Sequence, residues 1–450
     1  MRVALVACYE LGHQPLHLAA SAAALRARGH DVRCLDLSVE PWDPDLVAWA
    51  DRLAVSVPMH TAMRLARDVI ARARIERPDL PVCAFGLYGH VLADLADCAL
   101  AGETDDALVD WVEGRDPGSV VHLGREAARG HPLPARALLP PLERYVHLVD
   151  AAGARPVAYV EASRGCAHRC RHCPVPVVYD GRIRIVDEAT VVADVAQQVA
   201  AGARHVTFGD PDFFNGVHHS LRVVRAVHER FPDLTFDCTV KVEHVLRHAD
   251  VWPELAAAGC LFVVSAFETV DDATLARLDK GHTAADMSAA VELLRSHGIE
   301  VRPSWMPFTP WTTLEHVRGI LELVAAHDLV ANVDPVQYTI RLLLPPGSLL
   351  LSHPDVAPFL DGYDDERGCY RWHAADPAMD ELQLELAALV ERDVADGRDP
   401  ALTYDAIRAA CGLEPVHAPL GASETRPHLT ESWFCCAEPT SAQLGAVQQA

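Results

Sequence analysis

The stretch "YVEASRGCAHRCRHCPVPVV", residues 159–178, carries three cysteines, Cys166, Cys170 and Cys173, in a C-x3-C-x2-C array. Three closely spaced thiolates suit a [4Fe–4S] cluster with one iron free of protein ligands, because such clusters normally take four cysteines. An open iron can bind a substrate or cofactor. A structural zinc site would want a fourth ligand, which His168 or His172 could supply, so spacing alone leaves both readings open. The array follows the apolar, strand-like run Val157–Val160, where a catalytic loop at the end of a barrel strand belongs.

Outward from that loop, strand signals recur at βα intervals: Val157–Glu161, His205–Gly209, Thr235–Thr239, Leu261–Phe267, Ile299–Trp305 and Val336–Leu343. Helical periodicity fills 187–201, 217–230, 244–258, 283–297 and 313–327. Residues 155–345 therefore predict a partial (β/α)6 barrel with its chemistry at the strand carboxyl ends. Residues 1–128 also alternate strand and helix: "RVALVA", "PLHLAASAAALRARGH", "DVRCLDL", "RLAVSVPM", "PVCAFGL" and "CALAG". They predict an open parallel Rossmann-like sheet of four or five strands, its ligand face at the strand carboxyl ends. Residues 129–154, rich in proline and arginine, read as a linker. Residues 346–450 read as a helical extension, clearest at Met379–Asp393, with a cysteine-containing tail. The fold class is α/β.

Composition narrows the function. The chain has 450 residues, 50% of them hydrophobic, which is ample for two or three cores. A formal charge of −24 argues against nucleic-acid partners, which require a basic surface. No apolar run reaches the roughly 18–20 residues of a membrane span. The start reads as a first strand, not a signal peptide. Thirteen cysteines in this context indicate reduced thiols and a cytoplasmic location. Against 37 arginines stand two lysines, Lys241 and Lys280, both inside the barrel segment.

The barrel segment resembles the radical SAM superfamily. The resemblance rests on the cysteine loop, "FGDPDFFN" (208–215), "VVSAFETV" (263–270), "LARLDKGHT" (275–283) and "QYTIRLLLPPGSLL" (337–350), in the family's order. It implies a [4Fe–4S] cluster on Cys166, Cys170 and Cys173 that cleaves S-adenosylmethionine reductively to form a carbon radical. It also implies a low-potential electron donor such as flavodoxin or ferredoxin. Gly209 would let the backbone approach the cofactor and Asp210 would accept from its ammonium. Ser265 and Glu268 would lie near the ribose, and Lys280 or Arg302 would pair with the carboxylate. Turn chemistry around Pro211 is the competing reading of Asp210 and Asp212. The first domain resembles the cobalamin-binding-like domain fused to many such enzymes. The cobalt-ligating D-x-H-x-x-G signature is absent, since the first loop reads "CYELGHQPLH", and Gly86-Leu87 stands where a glycine pair is usual. A domain used for packing or dimerisation is expected in preference to bound cobalamin, and His13 and His17 read as cap or surface residues.

The segment "RPHLTESWFCCAEP", 426–439, resembles the tail of CUAEP/CCAEP-type radical SAM (seleno)proteins. Cys435 and Cys436 then become the residues that hold a soft atom or relay reducing equivalents. Cys369 or Cys411 would be a third ligand, or part of an auxiliary cluster. Together these features point to a transferase acting on a small-molecule or metalloid substrate, carrying a group such as aminocarboxypropyl to an atom such as arsenic held by the cysteine pair. Two alternatives stand beside it: a cobalamin-dependent radical SAM methyltransferase, and an iron–sulfur or metalloid redox sensor without turnover.

Overall fold

The computed structural model describes residues 1–115, 120–122 and 130–431. Cys435 and Cys436 lie outside the described residues. Six strands open the chain: β1 (Arg2–Ala7), β2 (Asp31–Asp36), β3 (Arg52–Ser56), β4 (Val82–Phe85), β5 (Cys98–Ala101) and β6 (Val120–His122). They pair in parallel in the order β2-β1-β3-β4-β5-β6, one strand more than the sequence suggests. The central strands are apolar almost throughout because both faces are covered. Ala4, Val6 and Val55 pack into one core with the helix His60–Glu76, and Val3, Leu5 and Ala54 into another with Leu18, Ala22 and Leu25. Strand order reverses between β1 and β3, and a sheet of this kind takes its ligands outside that reversal.

The second sheet runs through β7 (His147–Asp150), β8 (Gly153–Val160), β11 (His205–Phe208), β12 (Thr235–Thr239), β13 (Cys260–Glu268) and β14 (Glu300–Trp305). A short ribbon, β9 (Ser163–Gly165) with β10 (Ile183–Ile185), brackets the cysteine loop, and β15 (Leu360–Asp364) pairs with β16 (Cys369–Trp372). The sheet order is β14-β13-β12-β11-β8-β7-β17, where β17 is His428–Leu429. Five strands are parallel, and β7 and β17 close one edge antiparallel. The expected sixth strand is reduced to one parallel bridge, Phe308 with Arg341. Residues Pro335–Thr339 form a 3-10 turn instead, and the Gln337 side chain accepts from Trp305 N–H at 3.1 Å, which takes a donor that a sixth strand would have used. The helix expected over 244–258 is split into Val242–Arg247 and Trp252–Ala257. Pro253 cannot continue a helix from behind, and the Trp252 indole ties the two parts by donating to Val245 O.

Residues 129–154 are not a free linker. β7 belongs to the barrel sheet, and Arg136 is buried where the two sheets meet. Its guanidinium donates to both Asp194 oxygens at 3.1 and 2.9 Å, to Gln14 O at 3.1 Å and to Tyr159 O at 2.6 Å. The C-terminal helices Pro377–Ala395 and Pro400–Ala410 join the main core, and the chain then returns to β7 through β17. Among the described residues no helix is long and apolar enough to cross a membrane.

Arg136→Ala leaves Asp194 buried without its cation. A loss of about 3–5 kcal/mol in unfolding free energy is expected, read as a lowered midpoint in anaerobic denaturant titration; an unchanged midpoint would refute the interdomain role.

Candidate active site

The cysteine loop leaves β9 through Gly165, whose φ is +76°; a Cβ there would lie 2.4 Å from the Tyr179 ring and 2.5 Å from Arg182 O. Only glycine fits. Cys166 and Cys170 are buried and Cys173 is half-buried. Backbone contacts hold the loop from several directions. Ala167 N–H donates to Asn215 Oδ1 at 3.1 Å, and Arg171 N–H to Leu278 O at 2.9 Å. Arg171 O accepts from Leu350 N–H and Ser348 Oγ, both at 2.9 Å, so the late "PPGSLL" segment braces the loop.

Both histidines inside the array are held by acids. His172 Nε2 lies 3.2 Å from Glu268 Oε1, which Lys280 Nζ also reaches at 2.8 Å. His168 Nε2 lies 3.3 Å from Asp212 Oδ2, and Lys241 Nζ is 3.1 Å from its Nδ1. Each lysine of the chain thus braces one loop histidine. Glu268 sits at the end of β13, past an irregularity in register, with φ +66°. A non-glycine residue in that region stores strain, which its buried ion pairs must offset. Burial works against the Glu268 charge, yet Lys280 and His172 outweigh it and hold the carboxyl well below its usual range. Burial likewise opposes the Lys280 charge, but Glu268 and the sulfur of Cys170 keep its pKa above the ordinary value. Lys280 is aimed by its turn: the helix Asp272–Leu278 ends on Asp279 at φ +57°, and Thr283 caps the next helix in a capping box.

The Nε2 atoms of His168 and His172 face carboxylates and not the sulfurs, so they do not complete a zinc site with the cysteines. Nor do the three sulfurs lie within 4.8 Å of one another, since among the described residues only His168, Asp212 and His244 meet that spacing. A mononuclear zinc holds its sulfurs about 3.8 Å apart, from bonds of about 2.3 Å. The wider spread and the all-cysteine donor set fit an iron–sulfur cubane. Burial, aided by the Asp212 charge, raises the Cys166 thiol to about 11, so ligation of iron must displace its proton.

The other expected residues take varied places. A Cβ on Gly209 would lie 2.1 Å from the Tyr159 ring, so the missing side chain makes room for that tyrosine, not for an approaching ligand. Asp210 is buried and its oxygens accept from Ala162 N–H (2.9 Å), Ser163 N–H (2.6 Å) and Ser163 Oγ (2.6 Å). It holds the β8–β9 turn, and burial raises its carboxyl to about 7. Ser265 donates to Val240 O at 2.7 Å and shares a strand face with Val263 and Phe267, which belong to the helix-packed core. Arg302 pairs with Asp334 at 3.5 Å within the barrel. Glu268 and Lys280 are the cofactor candidates that the fold brings to the cysteine loop. Cys369 is buried on β16, while Cys411 ends a helix in the main core.

Sequence reasoning missed Glu103, Asn215 and His244. Glu103 follows β5 and accepts from Tyr179 Oη at 2.8 Å and Arg164 at 3.1 Å, which joins the first sheet to the cysteine loop. Leu87 and Ala101, at the ends of β4 and β5, pack with Cys166, Cys173, Val175 and Tyr179. The carboxyl ends of the first sheet therefore face the cysteine loop. His13 and His17 are in this junction, with His17 partly exposed. His13 is buried 4.6 Å from the Tyr159 ring, and His17 Nε2 lies 3.4 Å from Glu161. The signal that could have found Glu103 and His244 is their place just beyond a strand end.

Known proteins share the two-part organisation of the chain. The B12 binding domain model matches residues 2–112 and the Radical SAM superfamily model residues 160–324. The hopanoid C-3 methylase of Methylococcus capsulatus is 25% identical over 334 residues, 66% of this chain and 62% of that protein. The chain thus spans less than two thirds of that curated relative. The ribosomal protein uS12 methylthiotransferase RimO of Thermus thermophilus is 44% identical over 52 residues, 12% of each chain. Among solved structures, the cobalamin-dependent S-adenosylmethionine radical enzyme OxsB, with aqua-cobalamin and S-adenosylmethionine bound, aligns at TM-score 0.65 and 14% identity over 88% of this chain and 67% of its own. TsrM, a radical S-adenosylmethionine methyltransferase from Kitasatospora setae with cobalamin and a [4Fe–4S] cluster, aligns at 0.58 and 19% identity over 73% of each. These structural likenesses show the shared two-part α/β fold.

Because its folded pKa is depressed, Glu268 contributes stability that is complete above about pH 4.3 and is lost as pH falls further. Lys280→Met removes the cation and is expected to cost about 3–5 kcal/mol at neutral pH. That deficit should shrink on acidification, as the stranded carboxyl protonates. A deficit independent of pH in chemical unfolding would show that the pair is not what holds Glu268.

Proposed function

We propose that this chain, which belongs to the radical SAM superfamily and carries a B12 binding domain, is a cobalamin-dependent methyltransferase acting on a small molecule. The observation that carries the reading is the packing of the first sheet's strand ends, through Leu87, Ala101 and Glu103, onto the loop that bears Cys166 and Cys173. A corrinoid and a cluster housed at those two faces would be neighbours. The hopanoid methylase relative supports methyl transfer over the aminocarboxypropyl reading.

The first domain's residues fit a polar ligand despite the missing D-x-H-x-x-G signature. Glu10 Oε2, His13 Nδ1, Ser56 Oγ and Thr61 Oγ1 are buried polar atoms without hydrogen-bond partners. All four lie just beyond or at the ends of β1 and β3, the strands that flank the order reversal. Leaving such atoms unpaired costs about 1–3 kcal/mol each, which a ligand at this face would recover. These residues would contact cobalamin, and Cys166, Cys170 and Cys173 would hold the cluster. When bound, the cluster supplies a low-potential electron and an open iron for the sulfonium cofactor, and cobalamin supplies one-carbon transfer chemistry. The chain's own work is positional: Glu268 and Lys280 fix His172, Asn215 and Leu278 fix the loop backbone, and burial keeps water from the sulfurs. A low-potential flavodoxin or ferredoxin would deliver the electron, and a reducing cytoplasm suits the free thiols.

A second reading keeps the aminocarboxypropyl transfer to a soft atom at Cys435 and Cys436. It is favoured by one contact: Glu431, four residues earlier, accepts from Tyr9 Oη at 3.0 Å beside the end of β1. The two readings leave different remnants of S-adenosylmethionine. Protein produced with hydroxocobalamin, purified without oxygen and given a strong reductant is expected to retain about one corrinoid per chain and to form S-adenosylhomocysteine. Protein devoid of corrinoid that yields methylthioadenosine, with that product lost in Cys435→Ser and Cys436→Ser, would overturn methyl transfer and establish the second reading.

A further inference from the structure

Beside the cysteine loop, on the side of the helices Val217–Arg230 and Val242–Arg247, lies a cavity of about 620 Å³. Its walls include Ala167, His168, Asn215, His219, His244 and Arg247. Against His168 and His244, Asp212 is fully buried: one carboxylate oxygen accepts from Phe214 N–H at 2.9 Å and so starts the turn after β11. The other oxygen, Oδ2, faces His244 Nδ1 at 2.8 Å and His168 Nε2 at 3.3 Å. The three atoms lie within 4.8 Å of one another. Each is buried, and none makes a hydrogen bond of acceptable geometry. Three inward-facing lone-pair atoms with poor mutual hydrogen bonding suit an ion better than they suit each other. Two light-atom ligands on a tetrahedral zinc sit about 3.3 Å apart, from bonds of about 2.0–2.1 Å, and the 3.3 and 2.8 Å separations from Asp212 Oδ2 lie at and somewhat below that value.

We propose that His168 Nε2, Asp212 Oδ2 and His244 Nδ1 bind one divalent transition-metal ion of the zinc class, at a site separate from the three cysteines. The donor set is two imidazoles and a carboxylate, a borderline set that zinc accepts and that differs from the soft thiolates a few residues away. The remaining coordination position opens on the cavity, where Arg222 and Arg247 favour water or a small anion as the fourth ligand. One group works against the ion. Metallation at Nε2 places the His168 proton on Nδ1, toward Lys241 Nζ at 3.1 Å, so Lys241 must turn to its other partner, Glu243, at 3.4 Å. Since His168 lies between Cys166 and Cys170, the ion would pin the loop from its outer side. The site needs neither cobalamin nor a particular substrate.

The test uses the full chain with its cluster reconstituted anaerobically, dialysed and titrated with Zn²⁺ alone. One Zn²⁺ per chain should bind in addition to the iron. Co²⁺ in its place should give visible d–d bands without intense thiolate charge-transfer absorption. His244→Ala should weaken Zn²⁺ binding by about 100-fold or more with iron and sulfide content unchanged. Lys241→Gln should tighten it by removing the competing cation. The triple variant Cys166→Ser, Cys170→Ser, Cys173→Ser should still take one Zn²⁺. No uptake by the wild-type chain, equal affinity in His244→Ala, weaker binding in Lys241→Gln, or loss of the ion with the cysteines would each overturn the proposal.

Discussion

Buried polar and charged contacts at the strand ends hold the cysteine loop, and the placement of everything else in the site follows from them. A loop that presents three thiolates to one point cannot be fixed by apolar packing alone, because its sulfurs must face a polar, charged guest. Here the residues between the cysteines do that work. His172 is held by Glu268 and Lys280, and His168 by Asp212 with Lys241 behind it. Glu268 occupies a left-handed conformation that costs on the order of 1–3 kcal/mol, and its pairing with Lys280 at 2.8 Å offsets that cost. The backbone anchors at Asn215, Leu278 and Leu350 then set the direction in which the sulfurs point.

The same loop is also the meeting place of the two sheets. Strand ends of an open parallel sheet and of a barrel are both ligand faces. In this chain they oppose each other across Leu87, Ala101, Glu103, Arg164 and Tyr179. Arg136 ties the sheets together from behind, with its guanidinium spread over Asp194, Gln14 and Tyr159. Such an arrangement favours chemistry that needs two cofactors side by side. It gives no comparable role to a first domain that serves only for packing, as its missing signature suggested.

Much of the fold was legible because the signals were local. The strands His205–Phe208, Thr235–Thr239 and Glu300–Trp305 and the helix Val217–Arg230 fall within a residue of their expected bounds, since alternation and helical period are short-range properties. What failed depended on tertiary competition. Gln337 took the hydrogen bond of a sixth strand, Pro253 broke a helix, and Arg136 turned an apparent linker into a buried junction. In the site, the cysteine array and the Glu268–Lys280 segment were visible as motifs, and the fold brings them together. Asp210 and Ser265 looked like ligands by position, yet their polar atoms are engaged by Ser163 and Val240. Glu103 and His244 carried no motif beyond their place after a strand end, and the folded chain shows what they touch.

The central claim is that the cysteine-held cluster and the first domain's ligand face are immediate neighbours. Electron paramagnetic resonance of the anaerobic protein, with the cluster reduced and the bound corrinoid in its cobalt(II) state, tests it most directly. Two paramagnets housed at these opposing faces should split or broaden each other's signals. A spectrum that is the plain sum of an isolated cluster and an isolated cobalt centre would contradict the account.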